Sequence, residues 1–229
     1  MKKSISLKSG LLPGVLIFVG VCVVSLRSVF YMQPERLQGE VYKILYLHVP
    51  SAFCAFTCAF IMFVLSIVYL KNRKIICLNI ARACAEVGLI FTVATLVTGS
   101  IWGKTTWGTW WTWDARLTTT FVLGLLYCGY LMLWLTISDV EKKGVLCSVL
   151  GIFIFCDVPI IYKSVVWWRT LHQPPSLFSG EGNTMSTVIY HQLIISIIAF
   201  IALSLWLIWQ RAQNIALQNT MESKANRFF

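Results

Sequence analysis

Apolar residues run along the chain in six blocks, near 11–32, 45–70, 80–101, 117–138, 144–163 and 187–209, with short polar breaks between them. Each block has about the 20 residues that a helix rising 1.5 Å per residue needs to cross a hydrocarbon core of roughly 30 Å. The blocks are too long for barrel strands and lack period-two alternation. The pattern therefore predicts an all-α fold, a bundle of six transmembrane helices in one membrane domain over 1–229. The basic start, Met1 to Lys8, leads into a run that continues to Met32 with no small-x-small site before Arg27, so the first block reads as an uncleaved span.

Six spans put both termini on one side of the membrane. Lys2, Lys3 and Lys8, then Lys71, Arg73, Lys74 and Arg82, then Lys142 and Lys143, then Arg211, Lys224 and Arg227 all fall on that side, which by the positive-inside rule is the cytoplasm. Composition agrees: with 58% hydrophobic and 12% charged residues, the 229-residue chain has more apolar surface than one soluble core can hide. The net charge of +10 is spread between the apolar blocks and forms no basic face, which argues against nucleic acid. The eight cysteines lie in or beside apolar blocks with no CxxC pair; Cys54 and Cys58 share a helix face and read as small packing residues.

The opposite, outer segments, near 33–44, 102–116 and 164–186, hold Trp102, Trp107, Trp110, Trp111, Trp113, Trp167 and Trp168, leaving Trp134, Trp206 and Trp209 toward the inside. An ordinary aromatic belt divides its tryptophans between both interfaces, so the imbalance asks for a cause on the outer face. In the tryptophan-rich loop 102–116, a helix starting near Gly108 would set Trp107, Trp111 and Asp114 on one face with Trp110 and Trp113 beside them. Such an indole platform suits a large planar apolar ligand such as porphyrin. Its propionates would seek cations, and Lys43, Lys104, Arg116 and Arg169 are the outer candidates, each equally readable as a snorkelling anchor. Asp114 reads as a local cap or ion-pair partner.

All three histidines, His48, His172 and His191, fall on the outer side. Neutral imidazole is the usual axial ligand of heme iron, and two rings from separate segments can reach the metal from opposite faces. Zinc would want at least three protein ligands. Pro174-Pro175, Gly180 and Gly182 mark the third outer segment as a loop, with Thr184 or Ser186 as a cap for the last helix.

The run Trp107-Gly-Thr-Trp-Trp-Thr-Trp-Asp114-Ala-Arg-Leu-Thr118 resembles the WGxWWxWDxRLT signature of the CcmC, CcmF and CcsA heme-handling families. Tyr46-Leu-His48-Val-Pro-Ser-Ala52 is similar to the YxHVPxA segment of the CcmC family, and Trp167-Trp-Arg-Thr-Leu-His172-Gln173 to its WWxTLHQ segment. CcmF and CcsA proteins are longer, with extra spans and histidines, so CcmC is the family that fits. The resemblance implies a multi-pass inner-membrane protein, bacterial or, as the other fitting compartment, mitochondrial. It would hold heme b on its periplasmic or intermembrane face, with His48 and His172 as axial iron ligands. Around them the resemblance and the residues together place Trp107, Trp110, Trp111, Trp113, Asp114, Arg116 and Lys43. It further implies presentation of heme to the chaperone CcmE, with the CcmA–CcmB ATPase complex and CcmD as partners. It does not imply an enzyme, and His191 reads as structural. Two other classes compete. A transporter of heme or another solute would use mid-membrane polar groups, for which Glu86 and Asp157-Val-Pro159 are the hints. A structural anchor for an ATPase would use the tryptophans only as an interface; the chain itself has no phosphate loop.

Overall fold

The computed structural model describes residues 8–35, 38–172 and 185–225. Its elements are α1 (Lys8–Phe30), a short 3-10 turn (Glu40–Ile44), α2 (Leu45–Asn72), α3 (Ile75–Trp107), α4 (Ala115–Thr136), α5 (Val140–Trp167) and α6 (Thr187–Ala225). All six α-helices are long and apolar enough to cross a membrane, and the chain is a multi-pass membrane protein. Pro174, Pro175, Gly180, Gly182 and Thr184 lie outside the described residues; Ser186 directly precedes α6, and its hydroxyl accepts from the Ile189 amide at 3.5 Å.

The helices alternate in direction, and α2 and α3 form the centre. α2 packs on α3, α5 and α6; α3 also packs on α4 and α6; α1 lies outermost, mainly against α6. Lipid offers no hydrophobic drive for helices to associate, so close packing of small side chains has to supply it. α2 brings Cys54, Ala55, Cys58 and Ala59 to the seam, and α3 brings Ala81, Cys84, Ala85 and Gly88, all buried. The expectation that Cys54 and Cys58 pack as small apolar residues holds, since both are completely buried and unpaired. Gly88 leaves room for Tyr127 of α4, whose hydroxyl donates to the Ala55 carbonyl at 2.8 Å and ties three helices together.

Several helices outrun their apolar blocks, α6 and α3 the furthest at their C-terminal ends. α6 continues beyond residue 209 to Ala225, and α3 continues beyond residue 101 to Trp107, which turns Trp102 and Trp107 into helix residues. A helix starting near Gly108 does not form. Gly108, at φ 77°, ends α3 in the left-handed conformation that favours glycine, and residues 109–114 run irregularly until Asp114 caps α4.

Candidate functional site

The last turns of α3 build most of the tryptophan-bearing end. Thr92, Thr95 and Thr98 recur every third residue on one buried face, and each hydroxyl donates to a carbonyl of its own helix. This is how hydroxyl side chains settle in a helix without water. One turn into α2, His48 lies against this face. Its Nδ1 stands 3.0 Å from the Thr98 hydroxyl. That hydroxyl spends its hydrogen on the Ala94 carbonyl at 2.6 Å, so it can only accept from the ring. The Thr95 carbonyl, 3.2 Å from the same hydroxyl, also bears on the ring. Nδ1 therefore carries the proton, and Nε2 keeps its lone pair. Gly99 makes this approach possible, because a Cβ there would stand 2.9 Å from Cε1 of His48. The Trp102 ring meets His48 edge-on at 5.8 Å and is itself held by a 2.7 Å hydrogen bond from Nε1 to Gln38.

His172 follows the end of α5 and is arranged in the same way. Its Nδ1 lies 3.0 Å from Oδ2 of Asp114, while Oδ1 of that carboxylate accepts from the Leu117 amide at 2.8 Å and caps α4. A carboxylate only accepts, so here too Nδ1–H donates and Nε2 stays uncommitted. Burial pulls the His172 imidazole below its usual pKa; the charge and hydrogen bond of Asp114 push back without reversing the shift, and Arg116 adds to the lowering. The ring is thus neutral at neutral pH. Trp107 meets it edge-on at 4.7 Å, as Trp102 meets His48.

Beside His48 lies an apolar chamber of about 300 Å³, walled by His48, Phe53, Leu96, Trp102, Arg116 and Tyr162 among others; His172 and Trp107 are not part of its wall. Arg116 gives one donor to the Tyr162 carbonyl at 3.3 Å, and its buried Nε has no partner among the described residues. The side chains of Trp111, Thr112 and Thr118 each hold a buried polar atom in the same condition. Buried polar groups are normally satisfied, so this run of unpartnered atoms around the start of α4 is a candidate for contact with an acceptor-bearing ligand. Arg116 is within electrostatic reach of both histidines, and they of each other.

The other expected residues stand as follows. Trp110 and Trp113 are exposed, and Trp111 packs edge-on against Trp113 at 5.4 Å and Phe121 at 6.0 Å. Lys43 sets its ammonium 2.7 Å from both the Val29 carbonyl and Glu40. Lys104 caps α3 through the Gly108 carbonyl at 3.0 Å. Arg169 and His191 are exposed. Asp114 pairs with His172 as well as capping. The residues that sequence reading passed over are Thr98, Gly99 and Gln38. The threonine spacing on an apolar helix was the available signal for Thr98; nothing local in the sequence points to Gln38.

A family profile described as CcmC, heme exporter protein C, matches residues 2–227. A heme exporter protein C of Paracoccus denitrificans (strain Pd 1222) is 36% identical over 208 residues, covering 89% of this chain and 85% of that protein. Its namesake in Escherichia coli (strain K12) is 39% identical over 180 residues, covering 79% and 72%. That of Haemophilus influenzae is 35% identical over 192 residues, covering 84% and 77%. The chain that carries this chamber and its two oriented imidazoles belongs to the heme exporter protein C family, CcmC.

Proposed function

We propose that this protein binds heme at its tryptophan-bearing end and presents it during maturation of c-type cytochromes. The observation that carries the reading is the pair of histidines from distant segments, within electrostatic reach of each other and of Arg116, whose Nδ1 atoms are both tied back; His48 and the unsatisfied arginine line the apolar chamber. Iron takes imidazole nitrogen, the macrocycle takes apolar and aromatic walls, and a propionate takes the guanidinium. Arg116 is the cation best placed for that role, whereas Lys43 already has two partners. Trp102 and Trp107 flank the imidazoles, with Trp110, Trp111 and Trp113 forming the outer rim.

The relatives are heme exporters by name, which supports heme as the cargo. Heme b, whose iron accepts two axial ligands without a covalent link to protein, is the form that could be handed on. We place both termini in the cytoplasm and the chamber on the periplasmic side of a bacterial inner membrane, from the distribution of lysine and arginine. The whole chain acts as one membrane domain, and residues 102–116 as its rim. Hand-over to the chaperone CcmE, in company with CcmA–CcmB and CcmD, is the part of this reading that family membership supports. The protein binds, orients and releases; it makes no bond in its cargo.

The test is an absorption spectrum of the detergent-purified protein from heme-replete cells lacking the chaperone. A low-spin spectrum lost in the His48→Ala, His172→Ala double variant is expected. An unchanged spectrum in that variant overturns the ligand assignment. One observation favours a second reading, passage of heme or another solute through the bilayer: Asp157, buried in α5 near Pro159, has a carboxylate oxygen without a partner among the described residues. Heme uptake into sealed vesicles holding this chain alone, lost in Asp157→Asn, would select that reading.

A further inference from the structure

The two imidazoles are held alike in geometry but not in charge. His48 donates to a neutral hydroxyl, Thr98, itself fixed to its helix by a 2.6 Å bond. His172 donates to an anionic carboxylate whose other oxygen is locked onto the first turn of α4. We infer that Thr98 and Asp114 are positioning residues for the iron ligands, and that Asp114 makes His172 the stronger electron donor of the pair. The inference rests on the reading of His48 and His172 as heme ligands.

The physical basis is the partial transfer of the Nδ1 proton toward its acceptor. A carboxylate draws on that proton more strongly than a hydroxyl does, so the ring behind it gains negative character and Nε2 becomes more basic. Such a ring favours ferric over ferrous iron and binds the ferric form more tightly. A hydroxyl partner orients the ring with little electronic effect. Asp114 is suited to this role over direct porphyrin contact: both oxygens are occupied, and its side chain is 8% exposed. It also links His172, which lies beyond the end of α5, to the helix that carries Arg116, so ring and guanidinium are held in one frame. The consequence for hand-over is an ordered pair, in which the bond to His48 is the weaker one and the first to yield to a competing ligand.

The experiment measures heme midpoint potential and ferric-heme affinity in purified Asp114→Asn, Thr98→Val and Thr98→Ser proteins. Asparagine caps a helix as well as aspartate does, so Asp114→Asn removes the charge while sparing α4. The expected result is a raised potential and about a tenfold weaker ferric affinity for Asp114→Asn, within the range for outer-shell partners of ligating histidines. Thr98→Val should weaken binding with a smaller change in potential, and Thr98→Ser should restore it. Should Asp114→Asn fail to fold, Asp114→Ser supplies a neutral cap by another route. The decisive arm repeats Asp114→Asn in a His172→Ala background, where its effect on potential should vanish if it acts through that ring. An undiminished effect there, or a wild-type potential in Asp114→Asn, overturns the inference. Absence of heme from the wild-type protein, or an unchanged spectrum without the two histidines, would instead defeat the reading beneath it.

Discussion

The two ends of the helix bundle treat their polar groups in opposite ways. At the end where α2 meets α3 and α4 meets α5, charges are closed on one another. Glu86 of α3 is bound by Arg82, 3.1 Å away on the next turn, and by Arg211 of α6 through both Nε and Nη2. The buried Trp134 ring has Arg82 and Lys143 over it at 5.2 and 5.3 Å, Asn79 joins Asn219 at 3.1 Å, and Asp139 caps α5. At the tryptophan-bearing end, Arg116 keeps an unsatisfied donor beside a chamber, and both imidazoles present a lone pair. Between the two ends the hydroxyls of Ser66, Tyr130 and Ser148 and one carboxylate oxygen of Asp157 also lack partners among the described residues, and all of them lie outside the chamber lining. The difference teaches which charges serve the fold and which serve a ligand. A membrane interior penalises an open charge, so one that persists beside a cavity needs a reason.

Removing His48 and His172 together should have the largest effect. Heme should be lost completely while thermal unfolding in detergent stays that of the heme-free parent, since neither ring is part of the central seam. A loss of stability comparable to a core mutation would show that the tryptophan-bearing end is structural after all. Arg116→Gln comes next. Removing a charge-assisted bond to a carboxylate costs about 1.5–3 kcal/mol, so heme affinity should fall by roughly 10- to 150-fold with stability nearly unchanged. The check is a heme titration beside an unfolding curve.

Much of this was legible in the chain, for a physical reason: a bilayer forces about 20 apolar residues into each crossing, and six such blocks became six helices. The likeness of the segments around His48, Trp107 and His172 named the family that the profile match then bore out. What the sequence did not disclose was where α3 stops. Hydropathy ends a span at the edge of the apolar run, but a helix continues until its backbone is interrupted, and only Gly108 interrupts this one. Trp102 and Trp107 therefore became helix residues flanking the imidazoles, and the expected platform from Gly108 onward became an irregular rim. Thr98 and Asp114 show the other limit. Their roles depend on which ring nitrogen they face, a contact across 50 residues in one case and 58 in the other, and no local pattern encodes that.

At the closed end, Glu86→Gln should do the reverse of Arg116→Gln. It strips two arginines of their shared acceptor and frees α6 from α3, so stability should fall by about 2 kcal/mol, the scale of a charged hydrogen bond. Heme affinity should hold within a factor of about two, because the additivity expected of distant sites applies. A matching loss of heme binding would mean that the two ends are coupled through α3 and do not act independently.

The smallest and most local expectation concerns α3 itself. Gly99→Ala would put a methyl 2.9 Å from Cε1 of His48, between the ring and the helix that orients it. The ring has to move, lengthening its bond to Thr98 and tilting Nε2, and overpacking of this kind costs on the order of 1 kcal/mol. Heme affinity should drop about fivefold, near that energy, and the low-spin band should shift or broaden. Gly129→Ala on α4 is the matched control: nothing lies within 4 Å of a Cβ there, and alanine suits a helix better than glycine by up to about 1 kcal/mol. It should leave the spectrum alone and hold or raise stability. If Gly99→Ala behaved like Gly129→Ala, the close seat of His48 on α3 would have no bearing on the ligand, and the hydrogen bond to Thr98 would be left as packing.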